Sequence, residues 1–309
     1  VLADSNPAKI AMRNASLEII GKWMDADKKT NIQYAAKQSR IANAWKKWIG
    51  QIGGLKELHA MDKKLAFEEE YRARAAEKTE WKTKYFNCVK DLNDLQKENQ
   101  KYEMAMSMFI EYFYVGPEFL RFALDFGRVA ANYEKLEAED KLNEEVERLK
   151  KKQAGFFKNY NKGIDQRIFN TLTPLYISYV DSELLPIDLE STWKKSGDKI
   201  FTKSVLLNPE LLTELLNKFS KKTAKKILKD PAFVYAQSIY NGYVGNVSAK
   251  YNAFADKEEE LMTQYVKGML EMFPDKKRWA DANSTLRIAY GKLEGSAPRD
   301  GMEYHHYTT

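Results

Sequence analysis

Apolar residues recur at three- and four-residue intervals through most of the chain, a period that predicts helices packed by one stripe each. Ser5-Asn6-Pro7 is a helix start, with a capping side chain ahead of proline at the first helical position. That helix should run to about Met24 and stop at Asp25-Ala26-Asp27. A second begins near Thr30 and should end at Gly50 or at Gly53-Gly54, where glycine can cap in the left-handed conformation. Its positions Tyr34, Ile41, Trp45, Trp48 and Ile49 form the packing stripe. From Leu55 to Val115 there is neither proline nor glycine, and the alternation of charged and apolar residues predicts an antiparallel helical hairpin of coiled-coil type.

Gly116-Pro117 breaks that pattern, and Pro117 opens a helix through Phe119, Leu120, Phe122 and Leu124. The segment from Glu137 to Lys152 carries the next, buried along Leu142, Val146 and Leu149. Further helices are expected from Ile164 to Val180 (kinked or broken at Pro174), Pro209 to Phe219, Lys221 to Lys229, Pro231 to about Phe254 and Asp256 to Phe273. After Pro274 the period changes. Ser284-Thr285-Leu286-Arg287-Ile288-Ala289-Tyr290 alternates apolar and polar residues and reads as a strand over Thr285 to Tyr290. One strand makes no stable sheet, so its partners should lie in sequence beyond this chain.

Composition sharpens this picture. The 309 residues are 44% hydrophobic and 30% charged with only 15 glycines and 8 prolines, which predicts a mainly α chain able to bury a core. Fifty Lys and Arg stand against 44 Asp and Glu, interspersed along the same segments, so the net charge of +6 is mixed surface charge and not a nucleic-acid stripe. The clusters Lys150-Lys151-Lys152 and Lys221-Lys222 with Lys225-Lys226 read as solvated helix faces. The single cysteine, Cys88, excludes an intrachain disulfide and reads as a buried, inert thiol. Val1-Leu2-Ala3-Asp4-Ser5 is no signal peptide, which in an excised piece would say nothing about export, and no apolar run is long enough to span a membrane.

Candidate chemistry is sparse. There is no G-x-S-x-G, no H-E-x-x-H, no Gly-rich phosphate loop and no dinucleotide fingerprint. His59 sits in a charged helical stretch, and His305-His306 in the last five residues. The runs Glu68-Glu69-Glu70 and Glu258-Glu259-Glu260 read as solvated faces and not as metal ligands. The aromatic groups Phe109, Tyr112, Phe113, Tyr114 and Tyr235, Tyr240, Tyr243 read mostly as core. No catalytic constellation, metal site or cofactor site is expected within the chain.

Two stretches nevertheless resemble the bacterial dipeptidyl-peptidase 7 and 11 group of serine exopeptidases. One is Tyr34-Ala-Ala-Lys-Gln-Ser39-Arg-Ile-Ala-Asn43-Ala-Trp45-Lys46-Lys47-Trp48, preceded by Met12-Arg13-Asn14-Ala15-Ser16-Leu17. The other runs from Ala282 through Leu286-Arg287-Ile288 to Gly295, followed by Pro298-Arg299-Asp300-Gly301 and Tyr307-Thr308-Thr309. The resemblance implies a helical cap over residues 1–278 and, over 279–309, the start of a second lobe of a chymotrypsin-like double β-barrel. It implies a His-Asp-Ser triad wholly outside this chain, with His and Asp before it and Ser after it, so that the chain alone should be inactive. It further implies release of dipeptides from peptide N-termini, in the periplasm or at the surface of a Gram-negative bacterium, and is compatible with a homodimer of the parent. The implied partners are a peptide substrate and the missing lobes of the same polypeptide, with no nucleic acid and no membrane span.

The resemblance also places one function inside the chain: Asn43 matches an asparagine that holds the substrate's free α-amino group. The chemistry is apt, because an amide oxygen accepts from an ammonium without leaving a buried charge when the site is empty. On a helix Asn43 lies about 160–200° from Ile41 and Trp45, opposite the stripe and beside Ser39 and Lys47. The alternative class is a helical scaffold whose Leu55–Val115 hairpin binds a partner helix or a membrane surface. That hairpin carries as many acids as bases over several turns, unlike a basic membrane-binding face, and the strand has no place in such a scaffold.

Overall fold

The computed structural model describes residues 5–279, 284, 286, 288 and 290–307. Two units follow one another, the first up to Met272 and the second from Phe273 on. The first is all helical, as its periodicity predicts. Helices α1 (Ser5–Ala26) and α2 (Lys28–Glu57) form a tight pair joined at Asp27, whose carboxylate accepts from the Thr30 backbone N–H at 2.8 Å and caps α2. The expected glycine stop does not occur: α2 runs through Gly50, Gly53 and Gly54, none of which has a left-handed φ. Glycine permits that conformation but does not impose it.

The predicted hairpin over Leu55 to Val115 is not formed. Three helices replace it, α3 (Ala60–Ala75), α4 (Thr79–Tyr85) and α5 (Cys88–Phe109), followed by a π-helical turn over Ile110–Val115. The break before α3 is a left-handed residue, His59, at φ 50°. The long antiparallel partner of α5 is instead α14 (Ala249–Met272), far along the chain. Cys88 donates to the Leu261 carbonyl, Gln96 to Glu258 and Tyr102 packs on Phe254, so one index rises as the other falls. Period alone marks a buried stripe without naming what covers it.

Between them lie α6 (Glu118–Ala131), α7 (Tyr133–Ala138), α8 (Leu142–Lys158), α9 (Lys162–Tyr179), α10 (Leu189–Lys203), α11 (Pro209–Asn217), α12 (Lys221–Ile227) and α13 (Pro231–Tyr243). Helix α9 runs unbroken through Pro174, which is tolerable because the carbonyl deprived of its donor belongs to exposed Asn170. Helix α10 has no counterpart in the sequence expectations. The break expected between Phe254 and Asp256 is absent: α13 passes through a second π-helical turn, Val244–Ser248, into α14.

Of the aromatic residues read mostly as core, Phe109, Tyr112, Phe113 and Tyr235 are buried, Tyr240 and Tyr243 are half-buried, and Tyr114 is 44% exposed. Phe119, Phe169, Phe201, Phe233, Tyr112 and Tyr235 are all essentially inaccessible, and Phe169 meets Phe119 and Tyr235 edge-on at 5.4 and 5.2 Å. Tyr112 satisfies its buried hydroxyl on Thr173 at 2.7 Å and Tyr235 at 3.1 Å. Helices α6 and α13 approach so closely that a Cβ on Gly127 would stand 1.8 Å from the Phe233 ring. Gly127→Ala should therefore lower stability by about 1–3 kcal/mol in a denaturant titration, even though alanine is the better helix former. A neutral or stabilising result would show that the Phe233 ring can swing aside.

The second unit carries the β structure, but later than expected. Ser296–Arg299 pairs antiparallel with Met302–Tyr304 across Asp300-Gly301, with Gly301 at φ 72°. Of the expected strand, Thr285, Arg287 and Ala289 lie outside the described residues, while Leu286, Ile288 and Tyr290 are highly exposed and in no strand. Alternation marks a chain suited to a sheet, and a sheet also needs a paired neighbour.

Candidate functional site

Helix α2 presents two faces set by its period. Tyr34 and Ile41 are buried against α1 and its neighbours, whereas Ser39, Arg40, Asn43, Lys46 and Lys47 are exposed. Asn43 thus stands on the outward face beside Arg40 and Lys47, and it makes no hydrogen bond to another described residue. Trp45 and Trp48 are half-buried, in keeping with the packing stripe, but Ile49 is 43% exposed and falls outside it.

The inner face of α2 is fastened by polar contacts that its sequence did not announce. The Tyr34 hydroxyl donates to Glu118 Oε1 at 2.9 Å and accepts from the Asn161 backbone N–H at 3.0 Å. Lys37 Nζ lies 2.8 Å from both Glu118 oxygens. At the start of α6, the backbone N–H groups of Glu118 and Phe119 donate to the fully buried Asp165 carboxylate at 2.6 and 3.1 Å, and the Tyr160 hydroxyl adds a third bond at 3.0 Å. Asp165 on α9 therefore anchors the positive end of α6, and Glu118 ties that end to α2. Burial, reinforced by the Glu118 charge, raises the Asp165 carboxyl to about 7 against the lowering effect of these donors.

On the α1 side, Arg13 forms a bidentate pair with Glu111 at 2.7 and 3.0 Å and donates to the Ile41 carbonyl at 3.2 Å. Its guanidinium lies 4.5 Å from the Trp48 ring centre. Glu111 is only 3% exposed and belongs to the π-helical turn, so the pair pins that turn to both α1 and α2. The next residues of the turn lead to Gly116, where a Cβ would meet the Tyr112 carbonyl at 2.6 Å, so glycine is required there.

These elements enclose a cleft of about 320 Å³ between α1, α2, the π-helical turn, the start of α6 and α9. Arg13, Lys37, Arg40, Glu118 and Arg121 line it together with Ile20, Ile41 and Ile168. Arg40 shares the exposed surface of α2 with Asn43, one turn away. A second hollow of about 410 Å³ continues along α6 past Asp125, Arg128 and Lys152. Lys150 pairs with Glu147 and Lys221 with Glu134, as solvated helix faces do, whereas Lys152 is half-buried in this hollow, where it pairs with Asp125 and burial pushes its ammonium below the usual lysine range.

The remaining candidates carry no catalytic arrangement. Burial pushes the Cys88 thiol up to about 11. His59 is exposed on its left-handed turn, and His305 and His306 are exposed in the second unit. Among the described residues no group of three or more His, Cys, Asp or Glu side chains could hold a metal ion, and no helix is long and apolar enough to cross a membrane.

Comparison with known proteins places this architecture. At 33% identity the chain is similar to an Asp/Glu-specific dipeptidyl-peptidase of Flavobacterium psychrophilum, over 99% of its own length and 43% of the relative's. It is similar to dipeptidyl-peptidase 7 of Phocaeicola vulgatus at 29%, over 99% of the chain and 42% of that protein. The crystal structure of Porphyromonas endodontalis DPP11 with the dipeptide Arg-Glu superposes with a TM-score of 0.77 over 98% of this chain and 44% of that one, at 23% identity. The chain thus spans about two fifths of the length of these relatives. With the peptidase S46 family pattern matching residues 2–309, the chain belongs to the peptidase S46 family.

Proposed function

We propose that this chain is the helical cap of a serine-type dipeptidyl-peptidase that releases dipeptides from peptide N-termini, with Asn43 accepting a hydrogen bond from the substrate's α-amino group. The cap comprises residues 1–278, and 279–309 begin a β-lobe completed by the rest of the polypeptide. The triad lies in those lobes, so the cap binds and encloses the peptide and leaves bond cleavage to them. The relatives' names support the reaction class, and their greater length supports a catalytic portion elsewhere. Their Gram-negative sources are compatible with a periplasmic or cell-surface enzyme.

One observation carries the role of Asn43: it is an exposed amide without a described partner, on the outward face of a helix whose inner face is held by the Tyr34, Lys37 and Glu118 bonds. An unengaged acceptor on a helix whose backbone is already fixed suits capture of an ammonium, since only the amide side chain has to be ordered on binding. The test is Asn43→Ala in the full-length polypeptide. Losing a hydrogen bond to a charged group costs about 1.5–3 kcal/mol, so kcat/KM for a free dipeptidyl reporter should fall about 10- to 150-fold. An N-acetylated reporter should be indifferent, and the melting temperature should barely move. Unchanged kcat/KM together with a marked loss of stability would make Asn43 a structural residue.

A further inference from the structure

The cleft beside α2 holds more positive charge than its own acids neutralise. Glu111 engages Arg13 and Glu118 engages Lys37, yet Arg40 and Arg121, both exposed and both lining the cleft, have no ion-pair partner among the described residues. Two unengaged guanidiniums lining one cavity differ from scattered surface arginines, because an anion bound in that cavity meets two cations that no ion pair already occupies. The same lining includes the buried side chains of Ile20, Ile41 and Ile168, and Tyr114, which is 44% exposed. A cleft of about 320 Å³ lined by both cations and apolar side chains suits an organic acid with a hydrocarbon body better than a bare inorganic anion.

We infer that this cleft is a carboxylate subsite in which Arg40 and Arg121 clamp a peptide carboxylate, from an acidic side chain or a chain terminus, while the isoleucines take the adjoining carbons. The anion site rests on the lining itself, and only the choice of a peptide as its bearer rests on the peptidase function proposed above. Arg40 lies one turn from Asn43, so a peptide whose amino end reaches Asn43 could present a carboxylate here.

Binding can be measured without turnover, by titrating the chain with blocked peptides that lack the α-amino group and so do not depend on Asn43. Acetyl-Glu-Ala-amide offers only a side-chain carboxylate, acetyl-Ala-Ala only a terminal one, acetyl-Gln-Ala-amide none, and inorganic phosphate is the anion without a carbon body. At least one of the two carboxylate peptides should bind saturably, the tighter one identifying the source, while the Gln peptide should not. Arg40→Gln and Arg121→Gln should each weaken that binding about tenfold, as loss of a charge-assisted pair does. Arg148→Gln, on the outer face of α8, should leave it unchanged. Both target arginines are exposed, so folding should survive, and circular dichroism checks this. Absence of saturable binding by both carboxylate peptides, binding indifferent to Arg40→Gln and Arg121→Gln, or phosphate binding tighter than either peptide would each overturn the proposal. None of these outcomes would bear on the Asn43→Ala test.

Discussion

Replacing Arg13 by methionine should lower the unfolding free energy by about 3–5 kcal/mol, the usual consequence of leaving one member of a buried ion pair alone. The carboxylate stranded by Arg13→Met is that of Glu111, at 3% exposure, which loses two bonds of 2.7 and 3.0 Å at once. The Ile41 carbonyl loses its 3.2 Å donor and the Trp48 ring its stacked cation. Because Glu111 lies in the π-helical turn, the damage should reach the cleft as well as the α1–α2 pair. Urea titration measures the loss, and the double variant Arg13→Met with Glu111→Leu separates its causes. If the cost is a stranded charge, the second substitution should restore most of the stability, since well-packed apolar replacements of a buried pair are often neutral or better. A single-variant loss under about 1 kcal/mol would mean that water reaches Glu111.

Asp165→Ala should cost a comparable amount, about 2–5 kcal/mol, because it orphans a buried and a part-buried backbone donor at the start of α6 as well as the Tyr160 hydroxyl. Asp165 also makes stability depend on pH in a direction unlike that of most carboxylates. Burial raises its folded-state carboxyl to about 7, well above an unfolded aspartate near ~3.9. Between those values the folded chain holds a proton that the unfolded chain has released, so this group's contribution is full at the acid end and is lost as pH rises through about 7. The stability of the wild type minus that of Asp165→Asn should accordingly grow as pH falls from about 7 toward ~4. Growth in the opposite direction would mean that the three donors outweigh burial and hold the carboxylate ionised.

Much of the helical framework could be read directly from local chemistry. Ser5-Asn6-Pro7, Pro209 and Pro231 begin helices as expected, and the structure adds the caps Asp27, Asn208 and Asp230, each accepting from the first-turn backbone. These signals act within a few residues, so no partner need be known to interpret them. The outward placement of Asn43 was legible for the same reason, since a 100° step per residue opposes it to Ile41 once α2 is helical.

Tertiary structure decided what depends on residues distant in sequence. The apolar edge of α5 was visible, but its cover by α14 rests on contacts such as Cys88 to Leu261, 173 residues apart. The two π-helical turns were unannounced, because inserting one residue into a helix leaves its composition unchanged. The cleft shows the division most plainly. Lys37 and Arg40 are both cations in the same turn of α2 and look alike in sequence. Only folding brings Glu118, 81 residues on from Lys37, to neutralise Lys37 and leaves Arg40 and Arg121 lining one cleft with no ion-pair partner among the described residues. Periodicity sets which way a side chain points, and the charge it meets there is set by whichever distant helix the core brings alongside.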